Sequence, residues 1–220
     1  MASSSKSAWL GDELHSYLVE HGTPPDDLQQ RLIDETAALG RISSMQIAPE
    51  QGTFMTLLCR LMGVRFALEV GTFTGYSALA VARALPDDGH LLCLDTSTEW
   101  TAIARRYWAE AGVADKIELR LGPALDSLRS LPSSVRYDIA FIDADKPGYP
   151  AYIEEVVPRL RPGGALLVDN TLWSGQVADP TFDDETLTVI RAVNDALAAD
   201  DRLEVVVLPI ADGLTMARKR

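Results

Sequence analysis

Short apolar runs that alternate with amphipathic stretches dominate the sequence from residue 66 onwards. The runs of strand character cover residues 66–70, 91–94, 117–121, 139–142 and 165–168. The helical stretches between them include residues 77–85, 98–111 and 149–159. Apolar runs of this length favour strands that are buried on both faces. Their alternation with helices predicts an α/β fold, in which a doubly wound and mostly parallel sheet carries helices on both sides.

The last part of the sequence departs from this alternation. Residues 203–208 and 214–217 are two strand-like runs, and Asp212 and Gly213 stand between them. An Asp-Gly pair between two apolar runs is typical of a hairpin. The sequence therefore predicts that the sheet ends in an antiparallel pair.

The sequence before residue 63 has helical character instead. A Pro-Pro break at residues 24–25 separates a first helix from a second over 26–39, and a third is expected over 49–62. A length of 220 residues fits one domain. We expect a single domain made of a flexible tail, N-terminal helices and a Rossmann-like core, over residues 1–8, 9–62 and 63–220.

Charge and cysteine content narrow the range of functions. The net charge is −12, and the basic residues are scattered, so nucleic acid is not an expected partner. No run of about 20 apolar residues occurs, and the polar residues 1–7 lack the apolar segment of a secretion signal. Cys59 and Cys93 lie in apolar runs, as buried free thiols do. We therefore expect a cytoplasmic protein without a membrane span.

A turn with two glycines follows the first predicted strand. Glu69 precedes Gly71, and Gly75 comes four residues later. This spacing differs from the G-x-G-x-x-G turn that seats a pyrophosphate, and the acid favours a cationic ligand. Asp95, at the end of the second predicted strand, can accept hydrogen bonds from ribose hydroxyls. S-adenosylmethionine fits these features; the alternative is an ordinary tight turn between a strand and a helix.

Oxygen-bearing side chains follow two further predicted strands. Asp143 ends one of them, and Asp169 and Asn170 end the next. Neighbouring parallel strands would bring these side chains together, where the two carboxylates would repel each other without a cation. Oxygen donors favour Mg²⁺, with Mn²⁺ or Ca²⁺ as substitutes, whereas the three histidines are too dispersed for zinc. The alternative is that either aspartate caps the next helix.

Lys146 lies three residues beyond Asp143. A solvated lysine is the ordinary outcome for this residue type. Near a bound dication the neutral amine would be favoured over the ammonium, and a neutral lysine can act as a general base. We therefore treat Lys146 as a candidate base.

Several segments in the same order resemble one enzyme family. They are LEVGTFTGYS at residues 68–77, GPAL at 122–125, FIDADK at 141–146 with Tyr149, DNTLW at 169–173 and LPIADG at 208–213. Together they resemble the cation-dependent class I O-methyltransferases, the group of caffeoyl-coenzyme A and catechol O-methyltransferases. The resemblance covers about residues 45–219. It implies a seven-stranded sheet with a reversed last strand, and a homodimer.

The resemblance also implies roles for individual residues. Residues implied in S-adenosylmethionine binding are Met45, Ile47, Glu69, Gly71, Ser77, Asp95, Ala124, Asp143, Asp145 and Tyr152. The implied metal ligands are Asp143, Asp169 and Asn170, and Lys146 matches the proposed base. Trp173 and Tyr149 are candidate walls for a flat acceptor, with plain core packing as the alternative.

The expected reaction is methyl transfer from S-adenosylmethionine to a hydroxyl of a small aromatic vicinal diol, either free or as a thioester. The metal would chelate both hydroxyls and favour loss of a proton. The acidic residues of segment 174–185, expected to be a loop, offer little to the phosphates of coenzyme A, which favours a free acceptor. The alternatives are a nicotinamide-dependent oxidoreductase, an RNA-modifying methyltransferase and an inactive cofactor-binding protein.

Overall fold

The structure, a computed structural model, describes residues 10–220 and is built around a seven-stranded sheet. The predicted tail over residues 1–8 lies outside the described residues. The strands are β1 Phe66–Val70, β2 His90–Asp95, β3 Ile117–Leu121, β4 Tyr137–Ile142, β5 Leu160–Asp169, β6 Leu203–Leu208 and β7 Leu214–Lys219. Their order is β3-β2-β1-β4-β5-β7-β6. The pairs among β1 to β5 are parallel, and β7 is antiparallel to β5 and β6, which confirms the predicted fold.

Helices precede the sheet and cover it. They are α1 Asp12–Glu20, α2 Asp27–Ala37, α3 Pro49–Met62, α4 Tyr76–Ala82, α5 Thr98–Glu110, α6 Ala124–Ser130, α7 Tyr149–Val156 and α8 Glu185–Ala199. A capping box between Asp26 and Gln29 starts α2, and a left-handed Gly63 ends α3. The predicted loop over 174–185 contains a short 3-10 helix at Trp173–Ala178.

Alternate residues of the strands pack into two separate cores. On β1, Ala67 belongs to one core cluster, while Leu68 and Val70 belong to the other. The same alternation on β4 sends Phe141 to the first cluster and Ile142 to the second. Successive side chains of a strand point to opposite faces, so a sheet with helices on both faces needs continuously apolar strands. This explains why the strands appear in the sequence as unbroken apolar runs.

The strand order places a crevice between β1 and β4. From β1 the chain continues to β2 and β3 on one side of the sheet, and from β4 it continues to β5 on the other side. The chain connections therefore run in opposite directions from this point. In open α/β sheets, ligands bind outside the carboxyl ends of strands at such a position. The carboxyl ends of β1 and β4 are in contact here, because Asp143 N donates a 2.9 Å hydrogen bond to Val70 O.

Two further expectations concern the helices and the cysteines. No helix within residues 10–220 is long and apolar enough to cross a membrane. Cys59 and Cys93 are both buried and unpaired, which confirms the prediction that they are free thiols.

Candidate active site

A cavity of about 1130 Å³ opens at the carboxyl ends of the central strands. Its wall is formed by the segments that follow strands β1 to β5, the turn between β6 and β7, and the segment that leads into α3. Small-molecule sites usually measure roughly 300–1,000 Å³. The cavity is therefore large enough for two ligands side by side.

The glycine-containing turn after β1 is held in place by Asp95. The Asp95 carboxylate accepts backbone N–H bonds from Thr72 at 2.9 Å and Phe73 at 2.8 Å, and from Ser97 at 2.7 Å. Asp95 lines the cavity, and a carboxylate has about four acceptor positions, so it can also accept a hydroxyl from a ligand. This side chain thus shapes the turn and faces the cavity.

Gly71 fits its position because any side chain would collide with the loop after β4. Its φ is +89°, and a Cβ atom there would lie 2.0 Å from Asp143 O. Left-handed backbone and close approach both demand glycine. The turn after β1 and the loop after β4 are therefore packed backbone to backbone.

Glu69 lies beneath this turn and is not among the residues that line the cavity. Its side chain is buried, 4.0 Å from Cys93 Sγ, and one carboxylate oxygen has no hydrogen-bond partner within the described residues. Burial raises the pKa of Glu69 to about 8, while Ser77 and Thr72 act in the opposite direction. The proposed contact with the methionine part of the cofactor stays a prediction.

The other residues predicted on the cofactor side lie along the cavity wall. They are Met45, Ile47, Gly71, Ser77, Asp95, Ala124, Asp143, Asp145 and Tyr152. Tyr152 Oη donates a 2.6 Å hydrogen bond to Asp145, so these two side chains form one polar group. The structure thus brings together, around one cavity, residues that are far apart in the sequence.

Asp143, Asp169 and Asn170 line the same cavity. Asp169 is buried, and this burial, together with repulsion by Asp143, raises the pKa of Asp169. Asn170 N donates a 2.8 Å hydrogen bond to Asp169 Oδ1, and the left-handed backbone of Asn170, with φ 58°, begins the next loop. A cation would offset the repulsion, and all three side chains offer oxygen donors.

The candidate metal site combines two carboxylates with one amide. Within residues 10–220, no three His, Cys, Asp or Glu side chains cluster closely enough to hold a metal ion. The candidate site therefore depends on two carboxylates and the Asn170 amide oxygen. Such a set suits Mg²⁺ better than a softer metal.

Lys146 projects beside Asp143 and is largely buried. Its Nζ donates to Asp143 Oδ1 at 3.1 Å, to Ala144 O at 3.1 Å and to Tyr149 Oη at 2.7 Å. Three acceptors match the three hydrogens of an ammonium group. The lysine is thus fixed at the wall of the cavity rather than solvated.

The two predicted aromatic walls differ in position. Tyr149 is 1% exposed and does not line the cavity; its hydroxyl donates to Asp169 O at 3.2 Å. Trp173 is half-buried and does line the cavity, in a loop where Trp173 and Ser174 both have positive φ. The structure therefore places Tyr149 behind Lys146 and Trp173 at the cavity itself.

Further lining residues were not identified from the sequence. They include Gln51, Phe73, Trp100 and Asp212. Phe73 and Trp100 form an edge-to-face pair with centroids 5.1 Å apart, although 27 residues separate them, and only the folded chain brings them together. Because Phe73 lies within the glycine-containing turn, the sequence indicates that it is near the site, but it does not reveal the contact with Trp100.

Comparisons with known proteins identify the family of this chain. Residues 20–220 match the model of a family described as O-methyltransferase. Probable caffeoyl-CoA O-methyltransferase 1 of Dictyostelium discoideum is 39% identical over 208 residues, which span 93% of this chain and 90% of that protein.

Two solved structures share the fold over nearly their whole length. The O-methyltransferase from Bacillus cereus in complex with SAH has a TM-score of 0.85 and 33% identity, covering 93% of this chain and 96% of that one. The O-methyltransferase TomG from Streptomyces achromogenes, in complex with SAM, has a TM-score of 0.85 and 30% identity, covering 94% and 96%. With the family match, these similarities show that the chain belongs to the O-methyltransferase family, enzymes that transfer a methyl group to an oxygen atom.

Proposed function

We propose that this enzyme transfers the methyl group of S-adenosylmethionine to one hydroxyl of a small aromatic vicinal diol, with a divalent cation, Mg²⁺ in the first place. One observation carries the proposal: a single cavity joins the glycine-containing turn and Asp95 to a second group formed by Asp143, Asp169 and Asn170. The volume suits a cofactor and an acceptor together.

Residues that line the cavity support S-adenosylmethionine as the methyl donor. Asp95 would accept hydrogen bonds from the ribose hydroxyls, and the hydrogen-bonded pair of Asp145 and Tyr152 would offer polar atoms to the amino acid group. The related Bacillus cereus and Streptomyces achromogenes enzymes were solved with SAH and SAM. When bound, S-adenosylmethionine would supply an electrophilic methyl group on a sulfonium.

Asp143, Asp169 and Asn170 would hold the cation. The burial of Asp169 and its repulsion by Asp143 both disfavour its ionised form, and a bound cation would offset them. A bound cation would stabilise the ionised form of a hydroxyl that it contacts, with Mn²⁺ or Ca²⁺ as substitutes for Mg²⁺.

Lys146 is the proposed base. In the present arrangement its ammonium is saturated by Asp143, Ala144 and Tyr149. A cation held by Asp143 would disfavour the ammonium, so Lys146 would release a proton to solvent and become a neutral amine. The neutral Nζ would then take the acceptor's hydroxyl proton, and the resulting oxyanion would take the methyl group of S-adenosylmethionine as the carbon–sulfur bond breaks and the thioether leaves.

The acceptor is proposed to be a free diol rather than a coenzyme A thioester. Among residues 10–220, the charged residues that line the cavity are one lysine and five aspartates. Arg191, on α8, binds the adjoining segment 176–182. Its guanidinium donates to the carbonyls of Gln176, Val177 and Asp179. This arginine is therefore engaged by the protein and not by phosphates.

A homodimer in the cytoplasm completes the proposal. Leu57 and Leu61, one turn apart on α3, are 52% and 86% exposed, and contiguous apolar surface favours association. Light scattering after size-exclusion chromatography should give twice the mass of the chain, and Leu61→Asp should shift the equilibrium to the monomer. A monomeric wild type would contradict the dimer.

The acceptor class is tested with labelled S-adenosylmethionine. Catechol, its monohydroxy analogue phenol and a caffeoyl thioester of coenzyme A are compared at equal concentration with Mg²⁺ present. We expect transfer of label to catechol, little to the thioester and none to phenol. Equal labelling of phenol would exclude a requirement for two adjacent oxygens.

A further inference from the structure

Gln51 is a polar residue of the cavity wall that neither the sequence motifs nor the proposed reaction use. It lies in the first turn of α3, and its side chain is 0% exposed. It lines the same cavity as Asp143 and Asp169. Neither its amide nitrogen nor its amide oxygen has a hydrogen-bond partner within the described residues.

An unpaired buried amide is costly, since it has lost its water without gaining another partner. A glutamine carries two donors and one acceptor with two lone pairs, so the cost at Gln51 applies to a whole functional group. An apolar side chain of the same length would avoid this cost. The unpaired amide of Gln51 therefore points to a hydrogen bond that forms when a ligand occupies the site.

Asp169 is the neighbour that Gln51 is placed to serve. Both residues line the same cavity, and the Gln51 side chain lies close enough to the Asp169 carboxylate to interact with it. Neither amide atom reaches hydrogen-bonding geometry in this arrangement. Asp169 Oδ1 already accepts the Asn170 N–H, so an amide donor from α3 would complete the support of the carboxylate.

We propose that Gln51 is a positioning residue for Asp169: its amide N–H closes onto the carboxylate when Asp169 binds the cation, and holds it in the binding orientation. The inference rests on the metal site of the proposed function. Hydrogen-bonded supports behind metal-binding carboxylates fix their orientation, and their loss typically lowers metal affinity about 10- to 100-fold. Through Gln51, the N-terminal helix α3 would contribute to a metal site formed by β4 and β5.

The test is Gln51→Met, which keeps the length of the side chain and removes the amide. Binding of Mn²⁺ to the full-length protein is measured by electron paramagnetic resonance without acceptor, and binding of S-adenosylmethionine by calorimetry without metal. We expect Mn²⁺ affinity to fall about 10- to 100-fold and S-adenosylmethionine affinity to stay unchanged. The melting temperature without metal should rise, because the variant buries no unpaired amide.

Gln30→Met is the matched control, since Gln30 is exposed on α2 and pairs with Asp34. It should leave all three measurements unchanged. Gln51→Ala is the second variant and should lose Mn²⁺ affinity in the same way. Unchanged Mn²⁺ affinity in both Gln51 variants, or an equal loss of Mn²⁺ and S-adenosylmethionine affinity, would overturn the positioning role. A wild type that binds no Mn²⁺ would overturn the metal site itself and this role with it.

Discussion

Glu69 is buried beneath the turn after β1, and burial raises the pKa of its carboxyl. The sequence places an acid beside a glycine-containing turn, and from there a contact with a cationic cofactor is a natural expectation. In the structure Glu69 lies under the turn, on the same face of the sheet as Ala67 and close to Cys93. The last residues of a strand alternate between faces, and the sequence does not show how the turn will cover them.

The raised pKa of Glu69 predicts an unusual pH dependence of stability. The carboxyl titrates near pH 8 in the folded protein, against 4.5 ordinarily, because of burial. Between these values the folded chain keeps a proton that the unfolded chain has lost, so the free energy of unfolding falls as pH rises. Urea unfolding of wild type and Glu69→Gln should diverge across this window by up to about 1.4 kcal/mol per pH unit. Parallel curves would mean that Glu69 is ionised when folded.

A substitution at Lys146 should affect turnover but not cofactor binding. Lys146→Ala removes the proposed base and should lower kcat roughly 100- to 10,000-fold, while the dissociation constant of S-adenosylmethionine stays close to wild type. Steady-state kinetics and calorimetry give the two values. Lys116→Ala is the control, because Lys116 Nζ donates to Leu85 O and is absent from the cavity wall. An equal loss of turnover and cofactor affinity would identify Lys146 as structural.

The strands and the first and last turns of the sheet were predictable from the sequence because their physical causes are local. Unbroken apolar runs mark strands buried on two faces, and Asp212 with Gly213 marks the final hairpin. Residues 160–164 of β5 were missed, because Pro162 and two glycines hide the strand. Helices α6 and α8 were not delimited either.

The candidate site was predictable only in part, for a related reason. Asp143, Asp169 and Asn170 follow strands whose order could be anticipated, so their meeting at one edge follows from topology. Gln51 reaches the cavity from α3, and Tyr149 on α7 contacts Asp169 at the end of β5; no periodicity in the sequence encodes such proximity. The sequence thus predicts which strand ends meet, but not which helices support them.

The contact between the turn after β1 and the loop after β4 can be tested with a pair of glycines. Gly71→Ala would bring a Cβ to 2.0 Å from Asp143 O, whereas Gly40→Ala, at a similar φ of +76°, meets nothing within 4 Å. Urea unfolding should show a cost of about 1–2 kcal/mol at Gly40 from the left-handed backbone alone. At Gly71 the cost should be at least about 3 kcal/mol, with weaker S-adenosylmethionine binding. Equal costs would show that the backbone contact is not tight.

Charge acts on the acceptor through the protein as a whole. The net charge of −12 and the aspartates around the cavity repel a polyanionic acceptor before it reaches the site. Raising the salt concentration shortens the range of this repulsion. The KM for a caffeoyl thioester of coenzyme A should therefore fall as salt rises, while the KM for uncharged catechol stays constant. A thioester KM that rises with salt would indicate a basic site for the phosphates.

The metal requirement is tested most directly by removing divalent cations. Methyl transfer from labelled S-adenosylmethionine to catechol is followed after treatment with a chelator, and again after Mg²⁺ is restored; Asp169→Ala is assayed alongside. We expect the chelator to abolish transfer, Mg²⁺ to restore it in the wild type, and folded Asp169→Ala to stay inactive. Transfer that persists at the wild-type rate without divalent cations would contradict a metal site at Asp143, Asp169 and Asn170.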